Sequence, residues 1–301
     1  MDMLKEFEAS LIEQDKATLT VQGYLADMGL FMRWFALKNG ESLNPENWTS
    51  ADVRAYRQAL LDKTAKPQTI NRRLAALVSF GNWTVEQEYH LFNPALHIRS
   101  VASTPLSPKW LEKREKAALL RAMERDLQVA RKRYPRLWIL RLRDAAMVTV
   151  LLNTGLRVGE LCALRLLDVQ ISERKGKVIV RSGKGGKQRV VPLNGQARQM
   201  LSQWLLHRLP VDTDALFVGQ RNGAVSARSV QRAVGRLAQA AGLDEVTPHI
   251  LRHTFAKSLI DQGVSIEKVA ALLGHSDLNT TRIYITPGEK DLEEAVSKLS
   301  S

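Results

Sequence analysis

Residues 100–108 read S-V-A-S-T-P-L-S-P, and this aperiodic run of small residues and prolines limits what the chain can fold into. Proline lacks the backbone donor that a helix interior or a central strand requires. Residues 101–108 are therefore a linker. The 1–100 and 109–301 segments each have to build their own core, as the length of 301 residues also favours.

The first segment is helical by periodicity. Leu19, Tyr24, Leu25, Met28, Phe31, Met32 and Phe35 recur at helical spacing between Thr18 and Lys38. A second helix begins at Ser50-Ala51-Asp52 and ends at Lys63, and a third opens at Pro67 and carries Ile70, Leu74, Leu77, Val78 and Trp83. Trp34, Trp48 and Trp83 are read as core. The start of the third helix carries Gln68, Thr69, Asn71, Arg72 and Arg73, which can contact a DNA backbone or simply solvate a helix end.

The second segment changes its pattern partway. A basic helical region, Lys109–Asp144 with R-K-R at 131–133, leads into an apolar helix from Ala145 to Asn153. Three strand-like runs follow: L-D-V-Q-I-S (167–172), K-V-I-V-R (177–181) and Q-R-V-V-P-L (188–193). The glycine-bearing connections between them, E-R-K-G and S-G-K-G-G-K, are of hairpin type. A helix over 226–241 follows. The expected fold is mainly α with a small antiparallel sheet, in two domains.

Charge separates the two parts further. Residues 1–100 hold 11 basic and 12 acidic side chains, whereas 101–301 hold 33 and 19, so the net +13 belongs to the second part. A polyanionic partner, nucleic acid first, explains such a surplus. No apolar run reaches the ~18–20 residues of a membrane span. MDMLKEFEAS lacks the basic-then-apolar order of a signal peptide. The single cysteine, Cys162, excludes an internal disulfide and reads as a packed structural thiol. A cytoplasmic protein with no membrane association is the expectation.

The densest chemistry lies in T-P-H-I-L-R-H (247–253). Thr247 is a fitting N-cap and Pro248 a fitting first helical residue, so a helix runs from His249 towards Gly263. His249, Arg252 and His253 share one face. Histidines at i and i+4 can bind zinc, but the zinc-hydrolase pattern places a glutamate beside the first of them. Here Ile250 stands there, and Arg252 repels a dication, so no metal is expected. A helix over 265–273 leads to L-G-H with His275, and T-T-R-I-Y-I brings Tyr284 nine residues on. Upstream, T-G-L-R-V-G-E-L holds Arg157 and Glu160, while G-K-G-G-K places Lys184 and Lys187 on a hairpin tip.

Together these motifs, in this order, resemble those of the tyrosine recombinases, the phage-integrase and Xer family, over nearly the whole chain. The resemblance implies a helical, SAM-like core-binding domain over 1–100 and an α+β catalytic domain over 109–301. It matches Arg157 in G-L-R-x-G-E-L and Arg252 in H-x-L-R-H to the family's catalytic arginines, with His249 and His275 beside them. It matches Lys184 to the hairpin lysine, Lys187 being the other claimant, Glu160 to a supporting acid, and Tyr284 to the nucleophile. The stretch Glu124–Arg143 is longer than in compact Xer-like relatives. With no extension ahead of Met1-Asp2-Met3, a recombinase acting on core sites alone is expected.

The implied partners are double-stranded DNA with inverted-repeat core sites and three further copies of the chain. The tail after Tyr284, apolar at Leu292, Ala295, Val296 and Leu299, would dock on a neighbour or within its own subunit. A phenol with pKa near 10 needs a base to take its proton, a part the resemblance gives to His249, with His253 structural. Two fork-shaped, permanently charged arginines suit a phosphorane-like transition state, and no cofactor is required. A type IB topoisomerase shares this chemistry without exchanging strands. A non-catalytic DNA-binding protein would use the helices at 248–262 and 265–273 as a helix-turn-helix, leaving Arg157, Lys184 and Tyr284 unexplained.

Overall fold

A computed structural model describes residues 3–102, 108–181, 188–219, 222–275 and 277–284. The chain forms two compact units that part at residues 106–107.

The first unit is four helices: α1 (Met3–Glu13), α2 (Thr18–Asn39), α3 (Ser50–Asp62) and α4 (Pro67–Glu86). Each boundary has a local cause. Gly40 takes the left-handed conformation, φ 73°, that stops α2. Thr49 and Asp52 form a reciprocal capping box that starts α3. Pro67 occupies the first turn of α4, where its missing N–H costs nothing. The core is aromatic, with Phe7 against Phe80 at 5.3 Å, Phe31 against Tyr56 at 5.1 Å and Trp48 against Phe80 at 5.4 Å between ring centroids. Trp48 and Trp83 are buried. Trp34 is half-buried, stacked on Phe31, with the Lys38 ammonium 5.2 Å above it.

Three of the polar residues at the start of α4 have partners within this unit. Asn71 donates to the Val101 carbonyl at 2.9 Å and accepts from the Val101 N–H at 2.7 Å. Arg72 and Arg73 both pair with buried Asp27. Gln68 is exposed and Thr69 half-buried.

In the second unit, α5 (Lys113–Arg133) and α6 (Pro135–Thr154) replace the single basic region and the shorter apolar helix that the sequence pattern suggests. Pro135 sets the break: it ends one helix and opens the next. From Asp144 to Leu152 every residue of α6 is buried, so this helix runs through the core with neighbours on all sides. The R-K-R run closes α5, where cations meet the negative end of the helix, and the Arg131 guanidinium lies 5.7 Å over the Trp138 ring. Arg236 bridges Asp126 of α5 at 2.8 Å and buried Asp144 of α6 at 3.1 Å.

After α7 (Val158–Cys162) comes an antiparallel sheet in the order β1 (Val169–Ile171), β2 (Gly176–Val180), β3 (Arg189–Pro192). The first strand is shorter than its pattern suggests, because Leu166–Asp168 form a 3-10 turn. There the Asp168 carboxylate accepts the Arg165 N–H at 2.9 Å. Val178 opposes Val169 on one side and Val191 on the other, and its alternation puts Val178, Val180 and Val191 into the core. The periodic reading passed over α8 (Gly195–His207), which Asn194 caps and which buries Ala197, Leu201 and Trp204. Then come α9 (Ala227–Ala240), α10 (Pro248–Ile260), α11 (Ile266–Leu273) and the short α12 (Asn279–Arg282). Among the described residues no helix is long and apolar enough to cross a membrane.

Gly81 offers a test of the first unit. A Cβ there would lie 2.0 Å from Asn93 Oδ1, and Asn93 is buried with hydrogen bonds to Val78 O, Asn82 Oδ1 and Ala95 N. Gly81→Ala should gain ~1 kcal/mol of helix propensity but lose more by breaking these bonds, at ~1–3 kcal/mol for each stranded group. A lower urea midpoint is expected, and Gly81→Ala should cost much less when added to Asn93→Ala.

Candidate active site

The sequence-selected residues of the second unit come from five separated stretches, and the fold brings most of them together. Arg157 follows Gly155, the left-handed residue (φ 62°) that ends α6, and acts as the N-cap of α7. Glu160, one turn into α7, is buried and reaches back to it. Its Oε2 accepts the Arg157 N–H at 2.8 Å and its Oε1 accepts from Arg157 Nη1 at 3.0 Å. Burial acts to raise the Glu160 pKa, but hydrogen bonds from Arg189 and Arg157 outweigh it and hold the carboxyl below its usual range.

Arg252 of α10 is only 2% exposed. It donates to the Gly155 carbonyl at 2.5 Å and to the Leu273 carbonyl at 2.9 Å. These are the C-terminal ends of α6 and α11, where unpaired carbonyls concentrate negative potential. Burial first, and then neighbouring Arg157, lower its pKa to about 10. It is still a full cation at neutral pH.

His275 sits between Arg252 and Thr281. Arg252 Nη2 donates to Nε2 at 2.8 Å, and Nδ1 meets Thr281 Oγ1 at 2.8 Å. A guanidinium offers only donors, so Nε2 carries the lone pair and the ring proton lies on Nδ1, directed at Thr281. Burial and the charges of Arg252, Arg157 and Arg189 hold the pKa of this ring down to about 4.

Tyr284 is 3% exposed, packed among Phe255, Ala256, Val269 and Leu273. Its hydroxyl lies 2.6 Å from His253 Nδ1. The motif reading makes His253 structural and gives the phenol's proton to His249, whereas His253 is the ring at the hydroxyl. His249 stands exposed at the start of α10 with its ring edge-on to His253, 4.3 Å between centroids. Positions four apart stack on one helix face, and of these two His253 is the buried one. Burial lowers the His253 pKa to about 4, helped by His249 and Arg252, and burial raises that of Tyr284.

Arg189, at the head of β3, was missed by the motif reading. It is mostly buried, chelates Glu160 through two donors at 2.9 and 2.7 Å, and gives Nε to the Leu272 carbonyl at 2.9 Å. The available signal was a charged residue at the edge of an apolar strand, two positions after a glycine-rich turn. Lys184 and Lys187 lie outside the described residues, as does the tail after Tyr284. Cys162 is half-buried against the core with its thiol pushed up to about 11 by burial, which makes it a poor nucleophile at neutral pH. Among the described residues no group of three or more His, Cys, Asp or Glu side chains is arranged to hold a metal ion.

Two guanidiniums, Arg157 and Arg189, thus share the Glu160 carboxylate, with the Arg252 guanidinium, neutral imidazoles and a buried phenol beside them. A cluster with this excess of fixed positive charge attracts anions. On a helical first unit and a second unit with a three-stranded sheet, it defines the tyrosine recombinase class.

Comparison with known proteins agrees. Residues 4–88 match the N-terminal SAM-like domain of phage integrases, and residues 109–290 match the phage integrase family. A tyrosine recombinase XerC from Corynebacterium efficiens is 33% identical over 284 residues, covering 93% of this chain and 84% of that one. One from Thermodesulfovibrio yellowstonii is 30% identical over 296 residues, covering 95% and 92%. Among solved structures, the XerA recombinase is 25% identical with a TM-score of 0.53, covering 100% of this chain and 98% of the other. XerH in a post-cleavage complex with a palindromic difH substrate has the same fold, with a TM-score of 0.74 at 23% identity over 96% of this chain and 82% of that one. The chain belongs to the phage integrase family.

The buried histidines set a pH dependence of stability. Unfolded, His253 and His275 titrate near pH 6.5; folded, both stay neutral down to about pH 4. Their contribution is therefore complete above ~6.5 and is lost as pH falls towards ~4, because the unfolded chain binds the extra protons. Urea midpoints should drop between about pH 7 and pH 5, and His275→Asn should flatten that drop. An unchanged slope in the variant would contradict the assignment.

Proposed function

We propose that this protein cleaves and rejoins DNA through a covalent link between Tyr284 and the 3′ phosphate, exchanging strands between two DNA sites. The observation that carries this reading is a buried tyrosine on the same cluster as two arginines whose charge no carboxylate fully offsets.

The phenol oxygen attacks phosphorus while its proton passes to the imidazole pair His253 and His249. A neutral histidine can accept it, and the low pKa of His253 keeps that ring neutral through the working range. Arg157 and Arg252 stabilise the charge that grows on the non-bridging oxygens, and His275 orients Arg252. Lys184 hands a proton to the departing 5′ oxygen, with Lys187 contacting the adjacent backbone. The phosphotyrosyl bond keeps the energy of the phosphodiester, so a 5′-hydroxyl from another duplex reverses the step without ATP. With arginines supplying the charge, the chemistry has no need of a metal. Exchange between two duplexes takes four such sites, hence a homotetramer on paired inverted-repeat sites, with the segment after Tyr284 docked on a neighbouring copy. Gln68, Thr69 and the outward parts of Arg72 and Arg73 contact the DNA backbone from the first unit. A DNA substrate of this kind places the protein in the cytoplasm.

Burial of Arg252, His253 and Phe255 within α10 leaves little of that helix free to enter a groove, which argues against a helix-turn-helix binding role. Covalent capture tests the whole reading. Wild type and Tyr284→Phe are incubated with fragments of the native locus in EDTA, denatured, and assayed for protein-linked DNA. Adducts with wild type alone are expected, and sequencing their ends yields the site. Adducts that persist in Tyr284→Phe, or that require added zinc, would overturn it. Exchange between two differently labelled duplexes, rather than rejoining of each, separates recombination from topoisomerase action.

The two arginines should separate in their effects. The Arg157 side chain is 48% exposed and, among the described residues, forms its ion pair with Glu160, so Arg157→Ala should change stability by less than ~1 kcal/mol. It should nonetheless slow cleavage by ~10²–10³, as for loss of one oxyanion donor. Arg252→Ala strands two helix-end carbonyls and should lower the thermal midpoint as well. Both are read from adduct formation in a single turnover alongside thermal melts.

A further inference from the structure

Arg189 makes as many directed side-chain contacts within the cluster as Arg252, and more than Arg157. Its two terminal nitrogens meet both oxygens of Glu160, at 2.9 and 2.7 Å, and its Nε meets the Leu272 carbonyl at 2.9 Å. The same two carboxylate oxygens hold Arg157, one by its side chain at 3.0 Å and the other by its backbone N–H at 2.8 Å. The next carbonyl along, that of Leu273, accepts from Arg252. Arg189 therefore joins the head of β3 to the carboxylate that sets Arg157 and to the end of α11, from which His275 reaches Arg252.

The surroundings are shaped for this side chain. Gly274 has φ 68°, and a Cβ on it would stand 2.9 Å from Arg189 Nη1 and 3.0 Å from its Cδ. The glycine before His275 thus makes room for the guanidinium in addition to ending α11. Electrostatics gives the arrangement a purpose. Glu160 facing Arg157 alone would offset its charge and draw the guanidinium off a phosphate. With Arg189 chelating Glu160 bidentately, the carboxylate is already matched, and Arg157 keeps both its position and its attraction for an anion.

On the recombinase reading above, we propose that Arg189 is a positioning residue that sets the direction and the effective charge of Arg157 through Glu160. It touches neither the phosphate nor the nucleophile. Its effect is on how well the transition-state charge is met.

The test uses the full chain and the DNA site recovered by adduct capture, prepared with an ordinary scissile phosphate and with an uncharged methylphosphonate there. Arg189→Gln should slow single-turnover cleavage of the phosphate substrate by ~10²-fold, the scale of a misplaced catalytic group, with DNA affinity little changed. On the methylphosphonate, which develops less negative charge, the ratio of wild type to variant should shrink towards one. Arg189→Lys, which keeps a charge but not the two-point grip, should show a smaller loss with the same substrate dependence. It serves as the test if Arg189→Gln does not fold. In a double-mutant cycle with Glu160→Gln the two losses should be far from additive, as for residues acting in series.

Equal slowing on both substrates would reduce Arg189 to a structural residue and overturn the proposal, as would additive losses or unimpaired cleavage. Failure of the unaltered protein to cleave either substrate would remove the recombinase reading and this inference together. Cleavage by wild type with a normal Arg189 variant would remove the inference alone.

Discussion

Arg252 is a full positive charge in a nearly closed pocket, and the site is arranged around keeping it there. Taking a guanidinium out of water costs several kcal/mol unless its donors are met. Here helix-end carbonyls from Gly155 and Leu273 and an imidazole nitrogen meet them. Among the described residues no carboxylate bonds to it, so the charge is solvated by dipoles without being cancelled. The same bonds fix the mutual placement of α6, α10 and α11. Gly155 is constrained twice over, since its φ of 62° favours glycine and a Cβ would come within 2.4 Å of the Phe255 ring.

Around this cation the remaining groups divide into those that carry charge and those kept neutral. Arg157 and Arg189 share one carboxylate, whereas His253 and His275 are held neutral by burial and by the arginines. Neutral imidazoles can accept protons, whereas the guanidiniums keep theirs and attract anions. Tyr284 is covered by Phe255, Val269 and Leu273 and bonded to His253.

Much of this was legible in the sequence because the relevant signals are local. The helices of the first unit follow from apolar periodicity and caps, and the three-stranded sheet follows from alternation around glycine turns. Arg157, Glu160, His249, Arg252, His275 and Tyr284 stand in short motifs whose spacing can be recognised without a fold. Other features were not local. The burial of α6 on all sides from Asp144 to Leu152 depends on the elements that pack around it. Helix α8 was passed over because its buried positions, Ala197, Leu201 and Trp204, leave only a sparse stripe. Arg189 lies in a strand where one charged residue looks like an edge position, and only packing shows that it is chelating Glu160 and filling the space above Gly274.

The sequence by itself determined the division into two cores, the class of each, the excess of positive charge in the second, and the set of groups available for chemistry. These depend on composition, periodicity and near-neighbour sterics, which the chain carries before it folds. Tertiary structure decided which of those groups meet. It put His253, one helical turn deeper than His249, against the Tyr284 hydroxyl, gave Arg252 carbonyl partners 97 and 21 residues away, and recruited Arg189 to the cluster. Contacts between residues so far apart are set by how helices pack on a shared core, and no short stretch of sequence contains that information.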